Sequence, residues 1–173
     1  KLFAHQRVSL AYMQYLDAYL LADQPGVGKT APSIMWMDHR VSLDERVLVV
    51  TPGSAKDQWA RAIRVWSPGE DSIEVVEGKI PEQEKIIEGG ARWTICHWEA
   101  LVHARDAILE QEWAGIILDE SHAIKNRDAQ RSQTAFSLSS VENKLCLSGH
   151  PYTKTPDELW SQLRFLYPDQ YGS

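Results

Sequence analysis

A glycine-containing loop that ends in Gly-Lys-Thr has the residue types and spacing to hold a nucleoside triphosphate. Gly26 and Gly28 permit backbone dihedrals that turn several N–H groups towards one ligand. Lys29 would place a positive charge between the β- and γ-phosphates, and the Thr30 hydroxyl would bind Mg²⁺. The helix that follows would point its N-terminus at the phosphates. The predicted phosphate loop comprises Asp23, Gln24, Pro25, Gly26, Val27, Gly28, Lys29 and Thr30.

This loop departs from the full phosphate-loop pattern at one position, because Asp23 stands where that pattern has glycine. An ordinary glycine turn between a buried strand and a helix is therefore an alternative. In that case Lys29 and Thr30 would be first-turn helix residues without chemistry. Gln6 is also open to two interpretations, since its amide can pair with an adenine edge, but without other motifs a solvated surface glutamine is favoured.

A pair of acids supplies the second half of a Mg²⁺-nucleotide site. Asp119 and Glu120 directly follow the apolar run 114–118. Such a site needs a carboxylate near the metal and a group that orients the attacking water. We assign Asp119 to the metal shell, through a water, and Glu120 to the attacking water as base or orienter. Two solvated acids at the end of a strand are the alternative, which the phosphate loop upstream disfavours.

The elements that must position these residues alternate between strands and helices. Helical spacing of apolar residues predicts helices over 4–19, 31–39, 55–66, 81–87 and 157–166, with helical segments through 112. Ser54 is the predicted cap of the third of these helices. Continuous apolar runs predict strands from residue 20 and over 46–51, 73–76, 93–97, 114–118 and 143–147. This alternation predicts an α/β fold, a mostly parallel sheet with helices on both faces.

Four polar clusters follow predicted strands, at 23–30, 52–54, 119–122 and 148–151. Ligands of parallel sheets bind at the carboxyl ends of the strands. The four clusters are therefore expected to meet along one edge of the sheet.

Composition is that of one globular domain spanning residues 1–173, with 43% hydrophobic and 24% charged residues. The net charge of −6 argues against a surface uniformly suited to nucleic acid, so any such site must be local. Cys96 and Cys146 match no metal-ligand spacing and are expected to be reduced core thiols. No apolar stretch approaches the roughly 18 residues of a membrane span, and no signal-peptide pattern is present. We expect a soluble intracellular protein, of the cytoplasm, nucleoid or nucleus, with no membrane partner.

The sequence Asp119-Glu120-Ser121-His122 resembles the acidic box of superfamily-two helicases. The order of the flanking motifs is similar to that of the SWI/SNF-like DNA translocases in that superfamily. The matching stretches are residues 2–6, 22–30, 49–52, 95–101, 119–122, 124–126, 147–151 and 157–160. They follow the family's order along nearly the whole chain. Asp23 is what this family usually shows in the loop, so its departure from the general pattern supports the resemblance.

The resemblance implies a RecA-like P-loop NTPase lobe that uses ATP and Mg²⁺ on double-stranded DNA. It implies that Gln6 reads adenine, that Asp23 to Thr30 bind the nucleotide, and that Lys29, Asp119 and Glu120 serve hydrolysis. Ser148 and Gly149 resemble the element that couples the nucleotide site to DNA. The residues implied to lie towards the DNA groove or to take part in coupling are Pro52, Gly53, Ser54, His97, Trp98, His122, Lys125, Asn126, Ser148, Gly149 and His150.

Two positions depart from the family. Histidine stands at 150 where threonine is usual, and proline stands at 32 where glutamine or another non-proline residue is common. A protonated His150 could reach a DNA phosphate or Glu120, whereas a partly exposed histidine that merely fills the threonine's place is the alternative.

The leading hypothesis is the N-terminal motor lobe of an ATP-dependent double-stranded DNA translocase or remodelling helicase. Such motors pair this lobe with a second RecA-like lobe, which carries an arginine finger, so the lobe by itself is expected to hydrolyse ATP weakly or not at all. A kinase-type phosphoryl transferase is one alternative. A nucleotide-gated DNA-binding subunit of a restriction or phage defence complex is another. A protein partner is possible for the motor lobe and for the defence subunit. A second helicase lobe in the full-length reading frame would favour the motor, and a nuclease or methylase neighbour the complex.

Overall fold

The computed structural model describes residues 1–69, 72–152 and 155–172. Six strands form one sheet in the order β1-β6-β5-β2-β4-β3, and every neighbouring pair is parallel. The strands are Ala18–Leu21 (β1), Val47–Thr51 (β2), Ile73–Val75 (β3), Trp93–His97 (β4), Gly115–Asp119 (β5) and Asn143–Leu147 (β6).

Helices cover both faces of this sheet. They are Ala4–Met13 (α1), Thr30–Arg40 (α2), Lys56–Trp66 (α3), Ile80–Glu88 (α4), Trp98–His103 (α5), Arg105–Leu109 (α6), Gln130–Ser137 (α7), Trp160–Leu166 (α8) and Pro168–Tyr171 (α9). Short 3₁₀ turns occupy Gly53–Ala55, Ser121–Ile124 and Pro156–Leu159.

Successive side chains of a strand point to opposite faces of the sheet. Because helices cover both faces, the central strands are buried on both sides. All five residues of β2 are buried, and the four residues before Thr51 alternate between two apolar clusters. Leu48 and Val50 pack with side chains from α4 to α8, whereas Val47 and Val49 pack with side chains from α1 to α3. The predicted parallel α/β fold with helices on both faces is confirmed.

The strand register aligns the carboxyl ends of the central strands. Leu147 at the end of β6 pairs with Leu21 of β1 on one side and with Asp119 of β5 on the other. At the end of β2, Thr51 pairs with His97 of β4. The segments that follow β1, β2, β5 and β6 therefore begin at the same edge of the sheet, as the sequence predicted.

The first predicted helix was too long. α1 ends at Met13, and residues 18–21 instead form β1 against β6. The apolar side chains of Val8, Tyr12 and Tyr15, which contributed to the helical spacing, are 56%, 68% and 87% exposed. Pairing with β6 satisfies the backbone of residues 18–21, and this tertiary interaction overrides the helical spacing.

Two further helix predictions need correction. α3 begins at Lys56 after a 3₁₀ turn, and Ser54 does not cap it, since no side-chain capping bond is present at its N-terminus. α7 was missed because its sequence, QRSQTAFS, is mostly polar. Its buried face includes Ser132 and Thr134, whose hydroxyls donate to the carbonyls of Ile124 and Gln130, so polar residues occupy positions that a pattern search assigns to apolar ones.

Both cysteines are buried and unpaired, as predicted. Burial raises the pKa of Cys96 to about 12 and also raises the pKa of Cys146, so both thiols stay protonated near neutral pH. Among the described residues, no helix combines the length and apolarity that crossing a bilayer requires.

Candidate functional site: a nucleotide pocket at the carboxyl edge of the sheet

The predicted phosphate loop connects β1 to α2 at the carboxyl edge of the sheet. Gly26 and Gly28 have φ angles of +82° and +79°, a region that residues with a Cβ rarely adopt. At Gly28 a Cβ would lie only 2.6 Å from Nε2 of Gln6, so this position also lacks space for a side chain. Both glycines therefore have the structural role that the sequence suggested.

Lys29 bends back over the loop. Its Nζ donates to the carbonyl oxygens of Asp23 at 2.9 Å and Gln24 at 3.2 Å. An ammonium group has three donors, so it can hold the loop and still donate to a further acceptor. α2 starts at Thr30, and Pro32 lies in its first turn, where the chain does not need its N–H; the Ser33 N–H bonds to the Lys29 carbonyl.

Gln6 joins α1 to the phosphate loop. It is 7% exposed, so the solvated-surface interpretation is wrong. Its Oε1 accepts from the Phe3 N–H at 2.9 Å, and its Nε2 donates to the carbonyls of Val27 at 3.2 Å and Gly28 at 3.0 Å. In this conformation Oε1 holds the start of α1 and Nε2 holds the phosphate loop, while adenine recognition by Gln6 stays a prediction.

Three donors hold the carboxylate of Asp119. Oδ2 accepts from Thr51 Oγ1 at 2.8 Å and from Trp59 Nε1 at 2.9 Å, and Oδ1 accepts from the Glu120 N–H at 3.0 Å. A carboxylate offers about four lone-pair sites, two on each oxygen. The two bonds to Oδ2 use its sites, so Oδ1 retains the capacity to bind a metal-bound water.

Glu120 follows β5 in a left-handed conformation, with φ of 49° and ψ of 50°. Within the described ranges it is the one non-glycine residue with positive φ. This conformation costs about 1–2 kcal/mol for a residue with a Cβ. It turns the chain sharply from the strand into the 3₁₀ turn Ser121–Ile124.

A histidine links this acid to the loop after β6. Nδ1 of His122 lies 3.2 Å from Oε2 of Glu120 and 3.3 Å from Oγ of Ser148. Because a carboxylate only accepts, Nδ1 must carry a proton to bond with it. Ser148 Oγ also accepts from the His150 N–H at 3.1 Å. The imidazole that contacts Glu120 is thus that of His122, whereas the His150 side chain is exposed.

The loop after β6 also contacts the phosphate loop. At Gly149, a Cβ would lie 2.6 Å from Cγ of Pro25, so the absence of a side chain lets the two loops touch. The phosphate loop, the acid pair and the Ser148-Gly149 segment are therefore in physical contact at one edge of the sheet.

The family model of the SNF2-related domain matches residues 5–173. The chain belongs to the SNF2-related domain family. The resemblance to SWI/SNF-like translocases is thereby confirmed at the level of the family, and a free-standing kinase-type transferase is disfavoured.

Two relatives of this SNF2-related chain have names that refer to chromatin. The ISWI chromatin-remodeling complex ATPase ISW1 of Saccharomyces cerevisiae is 30% identical over 163 residues, which cover 90% of this chain and 14% of the yeast protein. The human SWI/SNF-related matrix-associated actin-dependent regulator of chromatin subfamily A member 1 is 28% identical over 163 residues, 89% of this chain and 15% of the human protein. The chain thus spans about a seventh of the length of these relatives.

A solved structure shares the fold. The Sulfolobus solfataricus SWI2/SNF2 ATPase core in complex with dsDNA superimposes with a TM-score of 0.85 at 24% identity. The match covers 100% of this chain and 37% of that one. The predicted RecA-like lobe of the SNF2-related family is therefore confirmed as a fold.

The SNF2-related lobe contains a polar residue that sequence reasoning missed. Gln162 of α8 is fully buried, and its Oε1 accepts from Ser121 Oγ at 2.6 Å while its Nε2 donates to the Pro151 carbonyl. One amide thus joins the 3₁₀ turn Ser121–Ile124 to the loop after β6. The available signal was a glutamine on the apolar face of a predicted helix.

The residues predicted to face DNA separate into exposed and buried groups. Gly53, Ser54, Lys125 and Asn126 are exposed, and their contact with DNA stays a prediction. Trp98 is a correction, because its side chain is 5% exposed and its Nε1 donates to the Asp119 carbonyl at 3.2 Å. The indole packs in the core beneath the acid box and offers no surface to a DNA strand.

His97 is half-buried at the end of β4. Burial lowers its pKa, and the charge of nearby Lys56 lowers it further. Among the described residues, its buried Nδ1 has no hydrogen-bond partner. Neutral imidazole is therefore the favoured form at this position.

The residues present fit a magnesium nucleotide better than a metal ion bound by protein alone. No group of three or more His, Cys, Asp or Glu side chains that could hold a metal occurs among the described residues. Mg²⁺ in nucleotide sites typically takes one or two protein ligands and completes its shell with water and phosphate oxygens. The free capacity of Asp119 Oδ1 and the Thr30 hydroxyl at the start of α2 match that donor set.

Proposed function

We propose that this chain is the N-terminal RecA-like motor lobe of an ATP-dependent double-stranded DNA translocase or remodelling helicase. The observation that carries the proposal is the contact among three loops of an SNF2-related fold. The phosphate loop touches Gly149 through Pro25, and the acid pair reaches Ser148 through His122. A change at the nucleotide phosphates can therefore pass directly to the loop after β6.

In the proposed reaction Lys29 holds the β- and γ-phosphate end of ATP, and the Thr30 hydroxyl would bind Mg²⁺. Asp119 would hold Mg²⁺ through a water, and Glu120 would orient the attacking water and accept its proton. His122 donates to Oε2 of Glu120, which restrains the carboxylate beside the phosphate loop. Bound Mg²⁺ would supply positive charge to the phosphate oxygens.

The DNA substrate is proposed from the family and from exposed residues at this edge. Gly53 and Ser54 follow β2, and Lys125 and Asn126 follow the 3₁₀ turn Ser121–Ile124. A second RecA-like lobe in the full-length protein would close on the nucleotide and supply an arginine finger, which is worth about 10³–10⁵ in rate. The lobe in isolation is therefore expected to bind ATP and hydrolyse it poorly.

The test is phosphate release by the full-length protein with Mg-ATP, with and without duplex DNA. We expect duplex DNA to stimulate release and Lys29→Ala to abolish it, with weaker binding of a fluorescent ATP analogue. Lys85→Ala serves as the matched control, since Lys85 is an exposed lysine on α4, away from the carboxyl edge. Phosphate release that does not respond to duplex DNA, or a Lys29→Ala variant with unchanged analogue affinity, would overturn the proposal.

A further inference from the structure

Both side chains that donate to Oδ2 of Asp119 come from one short stretch of chain. Thr51 is the last residue of β2, and Trp59 lies in the second turn of α3. The residues between them include the turn at Pro52, Gly53 and Ser54. We call residues 51–59 the bracket segment, because its first and last residues donate hydrogen bonds to the same carboxylate oxygen.

The two donors are buried, so water cannot replace either of them. Thr51 is 0% exposed and Trp59 is 2% exposed. Their bonds to Asp119, 2.8 Å and 2.9 Å long, are hydrogen bonds to a charged acceptor, which are stronger than neutral ones. With Oδ2 occupied by both donors, the carboxylate is fixed in the orientation that leaves capacity on Oδ1.

The middle of the bracket segment is exposed. Gly53 and Ser54 face solvent, and a 3₁₀ turn closed by the Ala55 N–H and the Pro52 carbonyl at 2.8 Å holds their backbone compact. A ligand bound to this turn restrains a piece of chain that is short and anchored at both ends. The restraint therefore acts on the two donors and, through them, on Asp119.

We propose that Thr51 and Trp59 are positioning residues that link duplex-DNA binding at residues 52–54 to Mg²⁺-nucleotide binding at Asp119. The inference rests on the proposed function. It adds a route of coupling through α3, separate from the contacts of the loop after β6. Binding of DNA and of Mg²⁺-nucleotide is then cooperative, and thermodynamic linkage makes the effect reciprocal.

The chain offers variants that separate the hydrogen bonds from the packing. Trp59→Phe keeps an aromatic ring in the apolar cluster that also contains Ile34, Trp36 and Ile63 but removes the N–H. Thr51→Val keeps the shape of the side chain and removes the hydroxyl, whereas Thr51→Ser restores a hydroxyl. If Thr51 had a purely structural role, valine, which keeps its shape, would be tolerated at least as well as serine.

Duplex affinity is the readout, so the test does not depend on turnover. The full-length protein is titrated with a labelled duplex in the presence of a non-hydrolysable ATP analogue, with Mg²⁺ and with EDTA at equal ionic strength. We expect Mg²⁺ to tighten duplex binding by about 5-fold or more in the parent protein, the lower end of typical coupling. Trp59→Phe and Thr51→Val should reduce the factor to within about twofold of unity, and Thr51→Ser should retain it.

Trp36→Phe is the matched control. Trp36 is a fully buried indole in the same apolar cluster, and its Nε1 donates to the Met13 carbonyl at 2.7 Å. This variant should keep the parent's Mg²⁺ factor. The inference is overturned if Trp36→Phe loses the factor as Trp59→Phe does, or if Thr51→Val and Trp59→Phe both retain it. A parent protein that binds neither the analogue nor the duplex would instead contradict the proposed function.

Discussion

At the scale of single residues, Glu120 shows how the site depends on an unfavourable conformation. Its left-handed backbone turns the chain out of β5, and its carboxylate then meets His122 at 3.2 Å. About 1–2 kcal/mol of backbone strain is tolerated there. Strain of this kind concentrates at functional sites, where the surrounding structure holds it in place.

Replacing Glu120 with glutamine should separate binding from chemistry. Glu120→Gln in the full-length protein is expected to keep Mg-ATP affinity, because the amide oxygen can still accept from His122. Turnover should fall by about 10²–10⁴, the usual contribution of a general base. Analogue binding and phosphate release measure the two effects.

Glu88→Gln is the control for that experiment, since Glu88 is an exposed acid at the end of α4. Turnover of Glu120→Gln at the parent rate would mean that Glu120 is a surface acid without a catalytic role.

At the scale of elements, α8 has a role beyond covering the sheet. Its residue Gln162 joins the 3₁₀ turn that carries Ser121 to the loop that carries Pro151. The loop after β6 contacts the phosphate loop at Gly149, and the 3₁₀ turn directly follows Glu120. A single buried amide therefore links the two elements, in addition to the contact between His122 and Ser148.

Removing that amide should loosen both elements together. Gln162→Leu is expected to speed amide hydrogen exchange in residues 119–126 and 148–152 by about 10–100-fold, because each buried partner left unsatisfied costs about 1–3 kcal/mol. Exchange mass spectrometry of the full-length protein measures both segments. Gln14→Leu, at an exposed position after α1, should leave both unchanged. Faster exchange in only one of the two segments would show that Gln162 does not join them.

At the scale of the whole molecule, strand order brings titratable groups from distant parts of the chain to the carboxyl edge. His97 lies at the end of β4, where burial and Lys56 lower its pKa and Glu99, His103 and Glu77 act more weakly in both directions. The folded state then binds fewer protons there than the unfolded state, whose histidine titrates near about 6.5. The contribution of His97 to the free energy of unfolding therefore falls as the pH drops through that value towards the lowered pKa of the folded state.

A pH series should reveal this contribution. The thermal midpoint of the full-length parent should fall more than that of His97→Gln between about pH 7.5 and about pH 5.5, on either side of the ordinary histidine pKa. Glutamine cannot gain the proton, so it removes this one contribution while other groups titrate in both proteins. Equal losses in parent and variant would show that His97 does not contribute to the acid sensitivity.

Sequence patterns predicted most of the sheet because each buried strand is a local feature. β4 and β6 have the predicted bounds, since each is a short apolar run between turn residues. α1 and α7 were predicted poorly because their ends and faces depend on contacts with other elements. The family was also within reach of the sequence, since its motifs are short and keep their order along the chain.

The sequence by itself determined the alternation of strands and helices and the place of the two loop glycines, because periodicity and residue type are properties of neighbouring residues. Only the tertiary structure decided which side chains hold the acids. Trp59 and Asp119 are 60 positions apart, and Ser121 and Gln162 are 41 apart. Their pairing depends on the order β6-β5-β2 and on the packing of α3 and α8 against those strands. Hydrogen bonds of this kind are set by where separate elements meet, which no local pattern records.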